Sequence, residues 1–243
     1  MIKRSLFALF TTLLLSQTSS AQVFQTYDLV VSNPAGVVAA MNKFVESPVG
    51  QQSTAAVYLN QYIANGAYQA THQILVVYPS PQEMDANLAR NAAAPEWAEF
   101  MSEMNQVSQI ESEGVGQILA VGGDLSSPLL TDPNRSSIYY QLSVSDPAAY
   151  ASAWSDFTEA NADRGIVSYL SSITAFGSHP ATHVVANQFT SPGEAVANPP
   201  QSYSGWDAFI QRTGGIRTVE GIAMTQGIVA WLPEYRILAS LNF

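Results

Sequence analysis

The chain predicts an α+β fold in which two tandem units, each ordered strand, helix, strand, strand, helix, strand, stack their sheets into one intramolecular α/β barrel. Three observations carry that prediction. Two long phrases recur in one order, short stretches alternate apolar and polar residues at period two, and four Asx-Pro or Ser-Pro pairs stand where helices should begin.

The recurrence comes first. GAYQATHQILVVYPSPQE, from Gly66 to Glu83, returns as GSHPATHVVANQFTSPGE from Gly177 to Glu194. A shift of 111 positions, which takes His72 onto His183, aligns Tyr58 to Glu83 with Tyr169 to Glu194 without a gap. A shift of 113 sets YDLVVSNPA at Tyr27 to Ala35 on YQLSVSDPA at Tyr140 to Ala148. Two blocks in one order imply a duplicated unit.

Each element then follows from local chemistry. Tyr27, Leu29 and Val31, like Tyr140, Leu142 and Val144, alternate as a strand with one face on a core. Asn33-Pro34 and Asp146-Pro147 supply an N-cap and a proline at the first helical position. The helices that follow carry Val37, Met41 and Phe44 in one unit and Tyr150, Trp154 and Phe157 in the other, each set forming one stripe. Strands are predicted over Ala55 to Ile63 and Thr71 to Tyr78, matched by Ile166 to Thr174 and Thr182 to Phe189, with Gly66 and Gly177 at the turns. Ser80-Pro81 and Ser191-Pro192 repeat the capping device, with Glu83 and Glu194 in the first turn. The second helical region holds Trp97 and Phe100 in one unit; in the other, Pro199-Pro200 interrupts it before Trp206 and Phe209. These tryptophans read as helix-to-sheet packing. Final strands are placed at Gly114 to Val121 and Gly227 to Leu232.

The boundaries follow. Lys3 and Arg4 precede an apolar run from Leu6 to Leu15, then small residues end at Ala21, so residues 1–21 read as a secretory signal peptide. Residues 22–125 form the first unit, 126–137 a linker, 138–233 the second unit and 234–243 a C-terminal extension. The expected location is periplasmic or secreted. Nothing in the chain is apolar for long enough to read as a membrane-spanning helix, and no cysteine is present for a disulfide or a lipid anchor. The alternation at Tyr235, Ile237, Ala239, Leu241 and Phe243 resembles the end of an outer-membrane barrel, but four capped helices have little place in such a barrel. Nine basic residues face nineteen acidic ones, and Lys3 and Arg4 belong to the leader, so nucleic acid is an unsuitable partner.

The element order is that of a ferredoxin-like unit, an antiparallel sheet with both helices on one face. From Phe24 to about Leu232 the chain resembles the dimeric α/β-barrel superfamily, including NIPSNAP-like and antibiotic-biosynthesis-monooxygenase-like domains. The resemblance implies two fused repeats that build internally an interface which smaller relatives build by dimerising. It also implies two chemistries, haem binding through a histidine and cofactor-independent oxidation of aromatic substrates.

The ligand-binding candidates are His72, His183, Tyr58, Tyr169, Asp28, Gln141 and Ser143. The histidines would meet if both point into the space between the sheets near the pseudo-twofold axis; otherwise each serves its own hairpin. The tyrosines offer phenols to a pocket or pack in the core. Asp28, Gln141 and Ser143 face the space between the sheets if Tyr27, Leu29 and Val31 face the helices. His179 and His183 lie about 13 Å apart along an extended chain, too far to share an ion, and no metal or other cofactor is assigned. No Walker sequence, G-x-S-x-G elbow or HExxH is present, so catalytic residues stay unassigned. The expected function is binding of a small apolar ligand or a protein partner, with an oxidoreductase acting on such a ligand between the sheets as the alternative. Self-association into a homo-oligomer is compatible with either.

Overall fold

Strand alternation and antiparallel pairing set the architecture. In the first unit β1 (Val23–Val31), β2 (Ala56–Ala64), β3 (His72–Tyr78) and β4 (Ser108–Gly123) lie side by side in the order β4-β1-β3-β2. In the second, β5 (Ser136–Val144), β6 (Val167–Ala175), β7 (His183–Phe189) and β8 (Arg217–Trp231) lie in the matching order β8-β5-β7-β6. These elements come from a computed structural model that describes residues 22–130, 132–165, 167–175 and 179–233, so the leader and the C-terminal extension read from the sequence lie outside the described residues.

The sheets meet differently from the stacked arrangement expected. β2 pairs with β8 and β4 with β6, both antiparallel, and the eight strands close into one barrel. Edge-to-edge joining follows from the backbone: β2, β4, β6 and β8 would each otherwise present a row of unpaired N–H and C=O groups. The long final strands make both seams. They begin at Ser108 and Arg217, earlier than Gly114 and Gly227, because a bulge in each breaks the period-two pattern. Glu111 and Glu220 are the extra residues.

The helices cover the outside. α1 (Pro34–Glu46) and α4 (Pro147–Glu159) start on caps in which the Asn33 and Asp146 carboxamide and carboxylate oxygens accept from the N–H groups of Gly36 and Ala149, at 3.1 and 3.0 Å. α2 (Pro81–Ala92) and α5 (Pro192–Ala197) start on Ser80 and Ser191, which accept from Glu83 and Glu194 at 3.1 Å each. Pro95 divides the second helical region of the first unit, so a separate α3 (Pro95–Val107) follows; in the second unit α6 (Trp206–Thr213) resumes after Pro199-Pro200. Val37 and Met41 of α1 and Phe100 and Met104 of α3 pack on Leu29, Leu59 and Ile74. Burying each such side chain stabilises the fold by about 1.5–3 kcal/mol. Trp97 meets Phe44 of α1 edge to face with ring centroids 5.2 Å apart, and Trp206 lies tilted against Phe157 of α4 at 5.9 Å, so each tryptophan packs against the neighbouring helix.

Two glycines allow a close backbone approach, one at the β4–β6 seam and one where β8 passes the segment leading into β5. A Cβ on Gly116 would run into the Ser172 carbonyl oxygen, and one on Gly227 into that of Pro133, whereas Gly215 has open space. Gly116→Ala and Gly227→Ala are therefore expected to lose about 1–3 kcal/mol each by chemical denaturation. Gly215→Ala should stay within about 0.5 kcal/mol of the parent.

Candidate functional site

Alternation sends one face of every strand into the barrel. Asp28, Tyr58, Gln141 and Tyr169 line an interior cavity of about 130 Å³, together with Arg135 and Gln73. Asp28 sits in a polar knot. One carboxylate oxygen accepts from the Tyr62 hydroxyl at 2.7 Å and from Gln73 Nε2 at 3.2 Å, and the other accepts from the Tyr68 hydroxyl at 3.3 Å. Burial raises the Asp28 pKa above the ordinary carboxylate value, and these three hydrogen bonds oppose it. Burial, and then the Asp28 charge, also drive the Tyr62 phenol well up. Gln141 occupies the matching place in the second unit, so that side of the interior carries no carboxylate. Tyr169 is pushed up to about 12, chiefly by burial, with Arg135 acting against it.

Three of the sequence candidates lie elsewhere. His72 pairs across the sheet with Leu29, and His183 with Leu142, and both leucines belong to the outer cores beneath the helices. Residues directly opposite share a face, so the two imidazoles point out of the barrel and do not converge. Each shares a hydrogen bond with the preceding threonine hydroxyl at 2.9 Å, and burial lowers both pKa values. Ser143 donates to the Pro180 carbonyl at 2.8 Å and does not line the cavity.

Most of the open volume lies where the sequence reading did not look. Between α1, α3 and the outer face of the first unit runs a cleft of about 1080 Å³. Its walls include Met41, Phe44, Trp97, Phe100 and Met101, with Tyr27, Asn87 and Glu113 among its polar groups. Asn87 and Asn91 are tied down there, Asn87 Nδ2 donating to Ser53 at 2.7 Å and Asn91 Nδ2 donating to Asn87 at 3.0 Å. Tyr27 and Glu113 pair directly across β1 and β4, and burial followed by the Glu113 charge raises the Tyr27 pKa.

The counterpart in the second unit is a cavity of about 80 Å³ lined by Tyr150, Trp154, Phe157 and Phe209. The difference is written in the helix stripe. Tyr150 and Trp154 stand where the first unit has Val37 and Met41, and the bulkier pair fills the space. That contrast was available in the sequence as a size difference at matched positions.

The haem implied by the superfamily resemblance does not fit this donor set. Among the described residues no imidazole lines the cleft, its smaller counterpart or the interior, and the chain has no thiolate. Burial and then the Glu113 charge raise the Tyr27 pKa, which disfavours phenolate ligation.

Solved structures share this shape. A candidate monooxygenase from Fusobacterium nucleatum superposes with a TM-score of 0.58 at 12% identity, covering 87% of this chain and 94% of the other. A candidate monooxygenase from Lactobacillus acidophilus gives 0.55 at 10% identity, with 88% and 97% covered. An anthrone oxidase-like protein gives 0.56 at 9% identity, with 91% and 96% covered. The chain matches no family model and no curated protein. At such identities the likeness establishes the fold, a ferredoxin-like α+β architecture, and nothing finer.

Asp28 gives a pH test. Its folded pKa is raised, so the folded state binds the proton more tightly, and stability falls as pH rises from the ordinary carboxylate value through the folded one. Thermal midpoints measured across that window should decline for the parent relative to Asp28→Asn. Parallel profiles would show that Asp28 titrates normally.

Proposed function

We propose that the protein binds a small, flat, largely apolar molecule in the cleft of the first unit. One observation carries this reading. At matched positions Tyr150 and Trp154 leave the second unit only about 80 Å³, while the first keeps about 1080 Å³, just above the usual ligand-pocket range, walled by aromatic and methionine side chains. Methionine adapts its shape, and aromatic faces favour a flat partner. The apolar ligand thus belongs outside the barrel, under the helices, and not between the sheets. The two units are read as copies of one ancestral unit that have since diverged; the gapless alignment of Tyr58 to Glu83 with Tyr169 to Glu194 and the matching strand orders support this. The leader-like residues 1–21 add export to the proposal.

A second reading, oxidation of the bound molecule, is favoured by the carboxylate of Glu113 inside the cleft and by the names of the structurally similar monooxygenases and anthrone oxidase-like protein. With dioxygen as co-substrate, an activated CH₂ group and O₂ would give a carbonyl and one water. Glu113 would take the first proton. An oxygen electrode with anthrone as substrate tests this: uptake should fall at least about tenfold in Glu113→Gln.

Binding itself is tested with N-phenyl-1-naphthylamine, an uncharged aromatic probe. Its fluorescence should rise saturably with the parent protein. Met41→Trp copies the residue that closes the second unit and should weaken binding at least about tenfold while the circular dichroism spectrum is unchanged. Absence of saturable binding, or equal affinity in the variant, would refute the assignment.

A further inference from the structure

Among the described residues Arg135 has no carboxylate counter-charge. It stands just before β5 inside the barrel, is 8% exposed and lines the interior cavity. Its guanidinium lies 4.2 Å from the centre of the Tyr58 ring, and Nη1 donates to the Asp132 carbonyl at 2.9 Å. Among the described residues the ion pairs are Lys43 with Glu99 and Glu103, and Arg212 with Asp156, so no carboxylate neutralises it. Asp28 lines the same cavity but is engaged by Tyr62, Tyr68 and Gln73, and Arg135 is not among the groups that act on it.

An arginine stays protonated, and a buried ion costs several kcal/mol when unpaired. A desolvated cation–π contact returns about 2 kcal/mol, part of that cost. The barrel does not demand the charge: at the matching place in the first unit, 113 positions earlier, stands Gln22. A guanidinium offers a planar fork of N–H groups suited to a carboxylate. The neighbouring walls are apolar, with Phe24, Leu75, Val77 and Ala186, and the phenols of Tyr139 and Tyr169 border the same space. At about 130 Å³ the cavity is close to the ~150 Å³ void known to hold benzene.

We propose that the barrel interior is a second binding site, for a small monocarboxylate whose charged end pairs with Arg135 and whose short apolar tail lies against Phe24, Leu75 and Val77. This site is separate from the cleft of the first unit, and its occupant differs in charge. The two can succeed or fail independently.

The test uses sodium butyrate, with sodium chloride at equal ionic strength as the reference. Butyrate should raise the thermal midpoint of the parent by several degrees at saturation, about what binding to the folded state alone produces. Arg135→Gln, which copies Gln22, should abolish the rise. Arg135→Lys should bind at least about tenfold more weakly, since it keeps the charge and loses the fork. Intermolecular nuclear Overhauser effects from the butyrate methyl group should reach the rings of Tyr58 and Tyr169, a reading that needs no variant. The proposal is overturned if butyrate acts no better than chloride, if Arg135→Gln keeps the effect, or if the Overhauser contacts fall on Trp97 and Phe100 instead.

Discussion

A sheet edge buried without a partner leaves a row of backbone dipoles unsatisfied, and this structure removes that problem by closure. The seams between β2 and β8 and between β4 and β6 turn two four-stranded sheets into one continuous surface. Closure has a geometric consequence. A barrel of eight strands is just wide enough for its own side chains or for one small guest. Tyr58, Tyr62, Tyr139 and Tyr169 take up much of that width, and what is left is small and polar at several points. Any larger apolar guest must lie on the outer face, where helices bridge the sheet and side-chain size decides how much room stays open.

The two units obey the same plan and differ in what they place at matched positions. On the outside, Val37 and Met41 leave a cleft that Tyr150 and Trp154 fill. On the inside, Asp28 corresponds to Gln141, Gln22 to Arg135 and Tyr62 to Ile173. The polarity of the interior is therefore lopsided, with a hydrogen-bonded acid from one unit and, among the described residues, an arginine without a carboxylate partner from the other. Filling one unit has its own cost: Trp154 Nε1 and the Tyr203 hydroxyl are buried there without a hydrogen-bond partner among the described residues.

Features governed by neighbours in the chain were legible in the sequence. The Asn33, Ser80, Asp146 and Ser191 caps lie where their prolines announced them, and the alternation at Tyr27, Leu29 and Val31 marked one face on a core, which proves to be the face under the helices. Features governed by pairing were not. His72 and His183 attracted attention because they recur, yet their facing is set by the partners Leu29 and Leu142, forty or so positions away. The bulges at Glu111 and Glu220 flip the apparent phase of the last strands, which hid ten residues of β8. Arg135 fell in the stretch read as a linker, just before β5 begins at Ser136, so no period marked it as an interior residue. The cleft itself needed no pairing knowledge, only a comparison of side-chain volumes at two aligned helices.

The indole of Trp231, at the end of β8, donates to Asn42 of α1 at 2.7 Å, joining groups 189 positions apart. Trp231 is also part of the cleft wall. During synthesis the first unit leaves the ribosome long before this strand does, at about 5–20 residues per second. For that interval β2 is an open edge beside a half-built apolar groove, and non-local pairing of this kind forms slowly. The cleft of the first unit is thus complete only once the last strand of the second has paired.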